Sequence, residues 1–231
     1  MTKFWKNLNV LYERILLIIL ILILLIVLWC MYDNYYVFNH TTDRISGYKP
    51  GMTQSTAQVN KEITSDMRAW LSVEGTDIDY PIMQGTDNVK YLNTDPFGDY
   101  SLAGSIFLDS RNSPDFSDDY SLVYGHHMEY GRMFGALDAF LDEKYLRSHT
   151  KGLLEIGRTD REEHTLRVFA VMKASAQDDA VFDPMKNNIR EYVKDHALIY
   201  LEESDERILG LSTCTEGDSA ARIIVFCYIE D

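Results

Sequence analysis

Cysteine is scarce in this chain. The 231 residues hold three, and Cys30 falls inside a long apolar run, so at most Cys214 and Cys227 are left to pair outside a membrane. That excludes a disulfide-stapled scaffold. Basic residues are also short, 22 Lys and Arg against 36 Asp and Glu, for a formal net charge of −14. Nucleic-acid binding wants a basic stripe, so no nucleic-acid partner is expected; the acidity favours solubility and says little about fold. The chain has no internal repeat, no glycine-rich phosphate loop and no low-complexity tract.

One long hydrophobic run is present. Ile15 to Met31 is almost wholly Ile, Leu and Val, without charge or proline, and is about long enough to cross the hydrocarbon core as a helix. A buried core helix would keep a polar face, and this run has none. A cleavable signal peptide has a shorter apolar region and small residues at its cleavage site, whereas this run ends in Trp29-Cys30-Met31-Tyr32. The expectation is an uncleaved, single-pass anchor over 15–32. Lys3, Lys6 and Arg14 precede it against Glu13, leaving +2 over residues 1–14 and −16 over the rest. The N-terminal 14 residues are therefore expected in the cytoplasm and the remainder outside the cell membrane.

Residues 33–55 are polar and turn-rich, with Gly47 and Pro50-Gly51, and read as a stalk. Val59, Ile63 and Met67, spaced by four, predict a short helix over Thr56 to Met67. Nine short β-type runs follow: Trp70 to Val73, Ile78 to Met83, Ser105 to Leu108, Leu122 to Tyr124, Leu153 to Ile156, Leu166 to Met172, Leu198 to Leu201, Arg207 to Leu211 and Ile223 to Ile229. Their number and turn punctuation predict a mainly β domain, barrel or sandwich. Two helical patterns interrupt it, Met133 to Leu146 and Met185 to His196, the second opened by Asp183-Pro184 in cap and first-turn order.

Cys227 sits in the apolar alternation of Ile223 to Ile229, the pattern of a buried strand cysteine. Cys214 differs. It closes the run Leu211-Ser212-Thr213-Cys214 beside a polar loop, with Arg222 opening the next strand. A nucleophilic cysteine works as thiolate, which a nearby cation favours. Arginine does not serve as a base, but its fork of N–H donors suits an oxyanion on the attacked carbonyl. A departing amine must also be protonated, which is work for histidine. His40 lies in the stalk, and His149, His164 and His196 lie in polar turn or helix-end contexts. His126 and His127 instead follow Ser121 to Gly125, a strand running into glycine, where scaffolds present functional groups.

Together, Leu211-Ser212-Thr213-Cys214, Arg222 and Tyr124-Gly125-His126-His127 resemble the signature of the sortases, the surface transpeptidases of Gram-positive bacteria. The resemblance is greatest to class B. Trp70-Leu71, Ile78 to Gln84, Asp87 to Leu92 and Gly104 to Asp109 read like that class's barrel entry, and the likeness covers residues 56–231. It implies a closed eight-stranded β-barrel with inserted helices and an N-terminal helix. Cys214 would be the nucleophile, His126, directly after glycine, the proton carrier, and Arg222 the oxyanion stabiliser. Asn88, Leu92, Val181 and Ser212 would contact substrate, with barrel packing the competing role for Leu92 and Val181. The implied substrates are secreted proteins carrying a C-terminal sorting motif, cleaved after threonine. The acyl group would pass to an amine of a peptidoglycan precursor or a pilin lysine, without metal or organic cofactor. The segment from Thr215 to Ala221 looks short for class B, with Thr215 where an acid often follows cysteine. Asp95-Pro96-Phe97 is similar to the lid of pilus-building members but lies within the domain, and is not expected to act as a lid. The acidic groups Asp115-Asp118-Asp119 and Glu202-Glu203-Asp205-Glu206 lack a calcium-loop pattern and read as solvated faces. A tethered cysteine hydrolase shares all three catalytic residues, and a non-catalytic adhesion module would merely keep the barrel.

Overall fold

A computed structural model describes residues 2–40, 45, 48, 61–186, 188–215 and 218–230; of residues 2, 33–40, 214, 215 and 218–220 it describes the backbone only. The chain divides into two units, Met1–Arg44 and Ile45–Asp231. The first is a single helix, α1 (Thr2–His40), whose stretch Lys3–Tyr32 is long and apolar enough to span a membrane. The helix continues past Asp33 to His40, so the first residues assigned to a stalk are helical. No proline or glycine lies between Asp33 and His40, so nothing local stops the helix there. Positions 49–55 of the expected stalk lie outside the described residues.

Among the described residues the second unit holds nine strands, one for each predicted run: β1 (Met67–Val73), β2 (Asp79–Met83), β3 (Ile106–Leu108), β4 (Tyr120–Gly125), β5 (Lys151–Ile156), β6 (Glu162–Ser175), β7 (Ile199–Tyr200), β8 (Arg207–Thr215) and β9 (Asp218–Glu230). Their order is β5-β1-β2-β3-β4-β8-β9-β6-β7, and β5 also pairs with β6. That last pairing closes eight strands into a barrel. β6 makes it possible by its length: residues 162–167 pair with β5 and Ala170–Val171 with β7, while β9 takes the other edge. β7 is thus a short addition outside the closed ring.

Burial follows the two-residue period of a strand. On β9, Ile223, Val225, Cys227 and Ile229 enter one core with residues from the other seven barrel strands. Ile224, Phe226 and Tyr228 enter a second core on the opposite face. Two short helices cover that second core, α3 (Asp179–Phe182) and α4 (Ile189–His196), through Val181, Ile189 and Val193.

Three predicted helices come out differently. Residues 61–66 are not helical and Met67 opens β1; Ile63 and Met67 are buried against the barrel without sharing a helix face. Positions 56–60 of that prediction lie outside the described residues. Met133 to Leu146 is a 3₁₀ helix (Phe134–Leu141) and then a separate helix, α2 (Glu143–Ser148), divided by Asp142, whose side chain accepts from Tyr145 N as the cap of α2. Asp183-Pro184 does not open the expected helix; Asp183 closes α3 instead, its backbone N donating to Asp179 O at 3.2 Å. Its carboxylate accepts from Met185 N at 3.3 Å and its carbonyl from Lys186 N at 3.1 Å, closing a turn, and α4 starts only at Ile189. Phe97 is buried in the barrel core and Pro96 O accepts from Thr64 N, so the 95–97 segment is part of the domain wall.

Leu166 sits at the closing seam, opposite Gly152 of β5 and Ile229 of β9, and is fully buried. Leu166→Ala should cost about 2–5 kcal/mol. The measurement is urea unfolding, with a lowered midpoint and unchanged slope.

Candidate functional site

Two strand registers bring distant parts of the chain together. β4 runs parallel to β8 with Gly125 opposite Thr213, so His126 leaves the sheet beside position 214. β8 runs antiparallel to β9 with Cys214 opposite Arg222. His126 and Arg222, with Gly125 and Thr213, line one cavity of about 220 Å³. The side chain of Cys214 lies outside the described ones; its backbone is in β8, directly after Thr213, and is the register partner of Arg222. The pairing continues to Thr215 opposite Asp218, so most of the segment from Thr215 to Ala221 is strand. Glu216 and Gly217 lie outside the described residues.

Asn88, Leu92 and Ser212 line the same cavity. Val181 does not. It is 0 % exposed and packed into the second core, which corrects the expectation that it meets substrate; on α3 it turns inward, and its neighbour Phe182 reaches the cavity. Among the described residues the buried Ser212 Oγ has no hydrogen-bond partner. Both ends of the Asn88 amide are used, Nδ2 donating to Asp109 Oδ2 at 2.9 Å and Oδ1 accepting from Ser110 N at 2.8 Å. Phe107, Tyr124, Ala176 and Phe182 complete the walls and were not anticipated. Tyr124 was within reach of strand alternation, since it shares the parity of Tyr120 and Leu122. Ala176 and Phe182 carry no signal, because they arrive on the long connection after β6 where the predicted helix was misplaced.

The adjacent histidines have different surroundings. His126 Nε2 lies 2.7 Å from the carbonyl oxygen of Leu92; a carbonyl only accepts, so Nε2 holds a proton and Nδ1 is the other site of exchange. His127 Nε2 is instead 2.8 Å from Asp138 Oδ2. The loop after them is tightly formed. His126 O accepts from Phe134 N at 3.1 Å, His127 bridges to Met133, and Tyr130 and Met133 take φ of 58° and 51°. Left-handed backbone at non-glycine residues costs of order 1–3 kcal/mol each and persists where the surroundings enforce it.

Two glycines leave room for this arrangement. A Cβ on Gly125 would lie 2.5 Å from Ile106 Cδ1 and 2.8 Å from the Phe134 ring. Gly104, at φ +59°, packs so closely that a Cβ would stand 2.5 Å from the carbonyl oxygens of Tyr91 and Leu92. It therefore supports the carbonyl that faces His126.

Several of the other described titratable groups are occupied elsewhere. His149 and His196 stack on Tyr145 and Tyr192, each at 4.1 Å. Asp118 accepts from Asn112 and Ser113, and Glu203 from Lys194. Among the described residues no group of three or more His, Cys, Asp or Glu is arranged to hold a metal ion. Cys227 is fully buried in β9, and burial pushes its thiol up to about 12.

At pH 7.5 the folded protein should leave Cys227 unalkylated by iodoacetamide, because its thiolate is negligible that far below its pKa, and denaturant should release the reaction. Peptide mapping checks it. Gly104→Ala should lose about 1–3 kcal/mol from positive φ alone and reduce turnover by displacing Leu92 O from His126; thermal unfolding and steady-state rates read the two effects.

Residues 71–230 match the sortase domain model. The chain is 33% identical over 165 residues to Sortase B of Listeria monocytogenes, covering 68% of this chain and 67% of that protein. It is similar in structure to a class B sortase of Streptococcus pyogenes involved in pilus biogenesis, at 38% identity and a TM-score of 0.67, over 73% of this chain and 94% of that one. Sortase B of Clostridium perfringens gives 32% identity and a TM-score of 0.64, over 72% and 94%. A barrel of this topology, with a cavity where its motif histidine and arginine meet the cysteine position, therefore belongs to the family those relatives define: the chain is a member of the sortases, cysteine transpeptidases, and of their class B.

Proposed function

We propose that this sortase cleaves the C-terminal sorting signal of secreted proteins after threonine and transfers the new acyl end to an amine. Cys214, as thiolate, adds to the threonine carbonyl. The oxygen takes the negative charge and Arg222 supplies N–H donors to it. Collapse of this adduct breaks the C–N bond, the leaving amine takes a proton from the imidazolium of His126, and a thioacyl enzyme remains. An incoming amine then attacks the thioester, neutral His126 accepts its proton, and the Cys214 thiolate leaves. The observation that carries this reading is the pair of registers, Gly125–Thr213 and Cys214–Arg222, beside one cavity lined by Gly125, His126, Thr213 and Arg222.

Asn88, Leu92 and Ser212 are the proposed substrate contacts. Ser212 is the best supported, since a buried hydroxyl without a partner gains most from a substrate hydrogen bond. The acceptor is a cell-wall precursor amine or a pilin lysine. The pilus role of the streptococcal relative favours testing the second. α1 is the proposed single-pass anchor of residues 15–32, with residues 1–14 cytoplasmic and residues 56–231 forming the catalytic domain outside. The hydropathy of 3.3 over its apolar window supports the span, and the basic residues before it support the orientation.

Incubation with sorting peptides and an added amine should give aminolysed product and a thioacyl mass increment on Cys214. Cys214→Ala should abolish both without changing thermal unfolding. His126→Ala and Arg222→Ala should each lower kcat/KM by roughly 10²-fold or more. Activity surviving in Cys214→Ala would sink the proposal, and hydrolysed peptide alone despite the amine would favour a hydrolase.

A further inference from the structure

Behind the cavity lies a carboxylate that the reaction does not use. Asp109 follows β3 and its side chain is 0 % exposed. Five donors converge on it. Arg111 gives its backbone N and Nε to Oδ1, both at 2.9 Å, and Nη2 to Oδ2 at 2.8 Å. Asn88 Nδ2 and the Tyr124 hydroxyl each donate to Oδ2 at 2.9 Å. The same Arg111 Nη2 donates to Phe182 O at 2.7 Å, and Nη1 reaches Asp183 Oδ1 at 3.3 Å.

Asn88, Tyr124 and Phe182 are thus tied to one point, and all three line the cavity. They come from three remote segments: the connection after β2, the end of β4 two residues before His126, and α3. Burial alone would raise the Asp109 carboxyl, but the guanidinium and backbone N–H of Arg111 and the Tyr124 hydroxyl outweigh it and hold the group below the ordinary carboxylate range. Removing the Asp109 carboxylate from water costs much of what its pairing with the half-exposed Arg111 returns, so little net stability is expected from it. What it fixes is geometry: one fork and one carboxylate admit a single relative placement of the three walls.

We propose that Asp109 is a positioning residue for the transpeptidation, which through Arg111, Asn88 and Tyr124 holds three walls of the cavity in the shape that receives the sorting peptide. This rests on the assignment of Cys214, His126 and Arg222 to the chemistry. Asp109 acts on how the peptide sits, and leaves the reactivity of the thiol to its own neighbours.

The test uses the full-length chain in detergent with Asp109→Asn, Arg111→Lys and Tyr124→Phe. In folded Asp109→Asn, kcat/KM for a sorting peptide should fall about 10- to 100-fold, chiefly through KM, the size expected of misplacement by about an ångström. Alkylation of Cys214 by iodoacetamide should stay within about 2-fold of wild type. Arg111→Lys, which keeps the charge but not the fork, should give a smaller loss of the same kind. Tyr124→Phe should raise KM alone yet add less than about 2-fold in the Asp109→Asn background, since both changes break one bond. If Asp109→Asn does not fold, Arg111→Lys and Tyr124→Phe decide the matter through the same readouts. A KM within about 2-fold of wild type, or a loss matched by slower alkylation, overturns the proposal. Loss of the underlying assignment would show separately, as activity in Cys214→Ala.

Discussion

The register of β8 against its two neighbours is the constraint on which the rest of the molecule depends. Leu209 and Leu211 point into the barrel, opposite Cys227 and Val225 of β9, and Leu211 also faces Val123 of β4. A slip of one residue would turn that whole set to the other face and bring polar Ser212 inward. β9 penalises the same error twice, because both of its faces are buried, Val225 and Cys227 in one core and Phe226 and Tyr228 in the other. Apolar packing in the middle of these strands thus fixes which residues stand at their ends. The site inherits its alignment from the core, and no loop has to search for it.

That dependence explains why so much was legible in the sequence. Each of the nine strands coincides with a run of alternating or continuous apolar residues, since burial on one or both faces is what both the pattern and the strand express. The strand end at Gly125 and the one at Cys214 were readable for the same reason, and so was the burial of Cys227. Closure of eight strands was not readable from periodicity. It needs β6 to accept β5 and β7 in turn along one edge, and strand order leaves no mark in a local pattern; the family resemblance supplied it.

The failures have a common physical origin. Ile63 and Met67 are spaced like neighbours on a helix, yet each is buried for tertiary reasons, one in an irregular segment and one at the start of β1. Asp183-Pro184 has the chemistry of a helix cap and uses it for a turn, while the segment just before it forms α3 under the cap of Asp178, which accepts from Ala180 N. Val181 then faces the second core and Phe182 the cavity. A shift of one position on a short helix decides between packing and lining, and helix limits drawn from sequence carry an uncertainty larger than that.

The histidine proposed as proton carrier shows how far backbone, and not only side chains, shapes such a site. Two histidines follow Gly125, and a local pattern treats them alike. The structure separates them by acceptor, Leu92 O for His126 and the Asp138 carboxylate for His127. The Leu92 carbonyl ends a 3₁₀ turn, Lys90–Leu92, and is braced from behind by Gly104, where no side chain fits. An acceptor fixed in this way keeps a proton on Nε2 whether the ring is neutral or charged, because a carbonyl offers nothing to donate. As long as that bond is kept, gain and loss of the second proton fall to Nδ1.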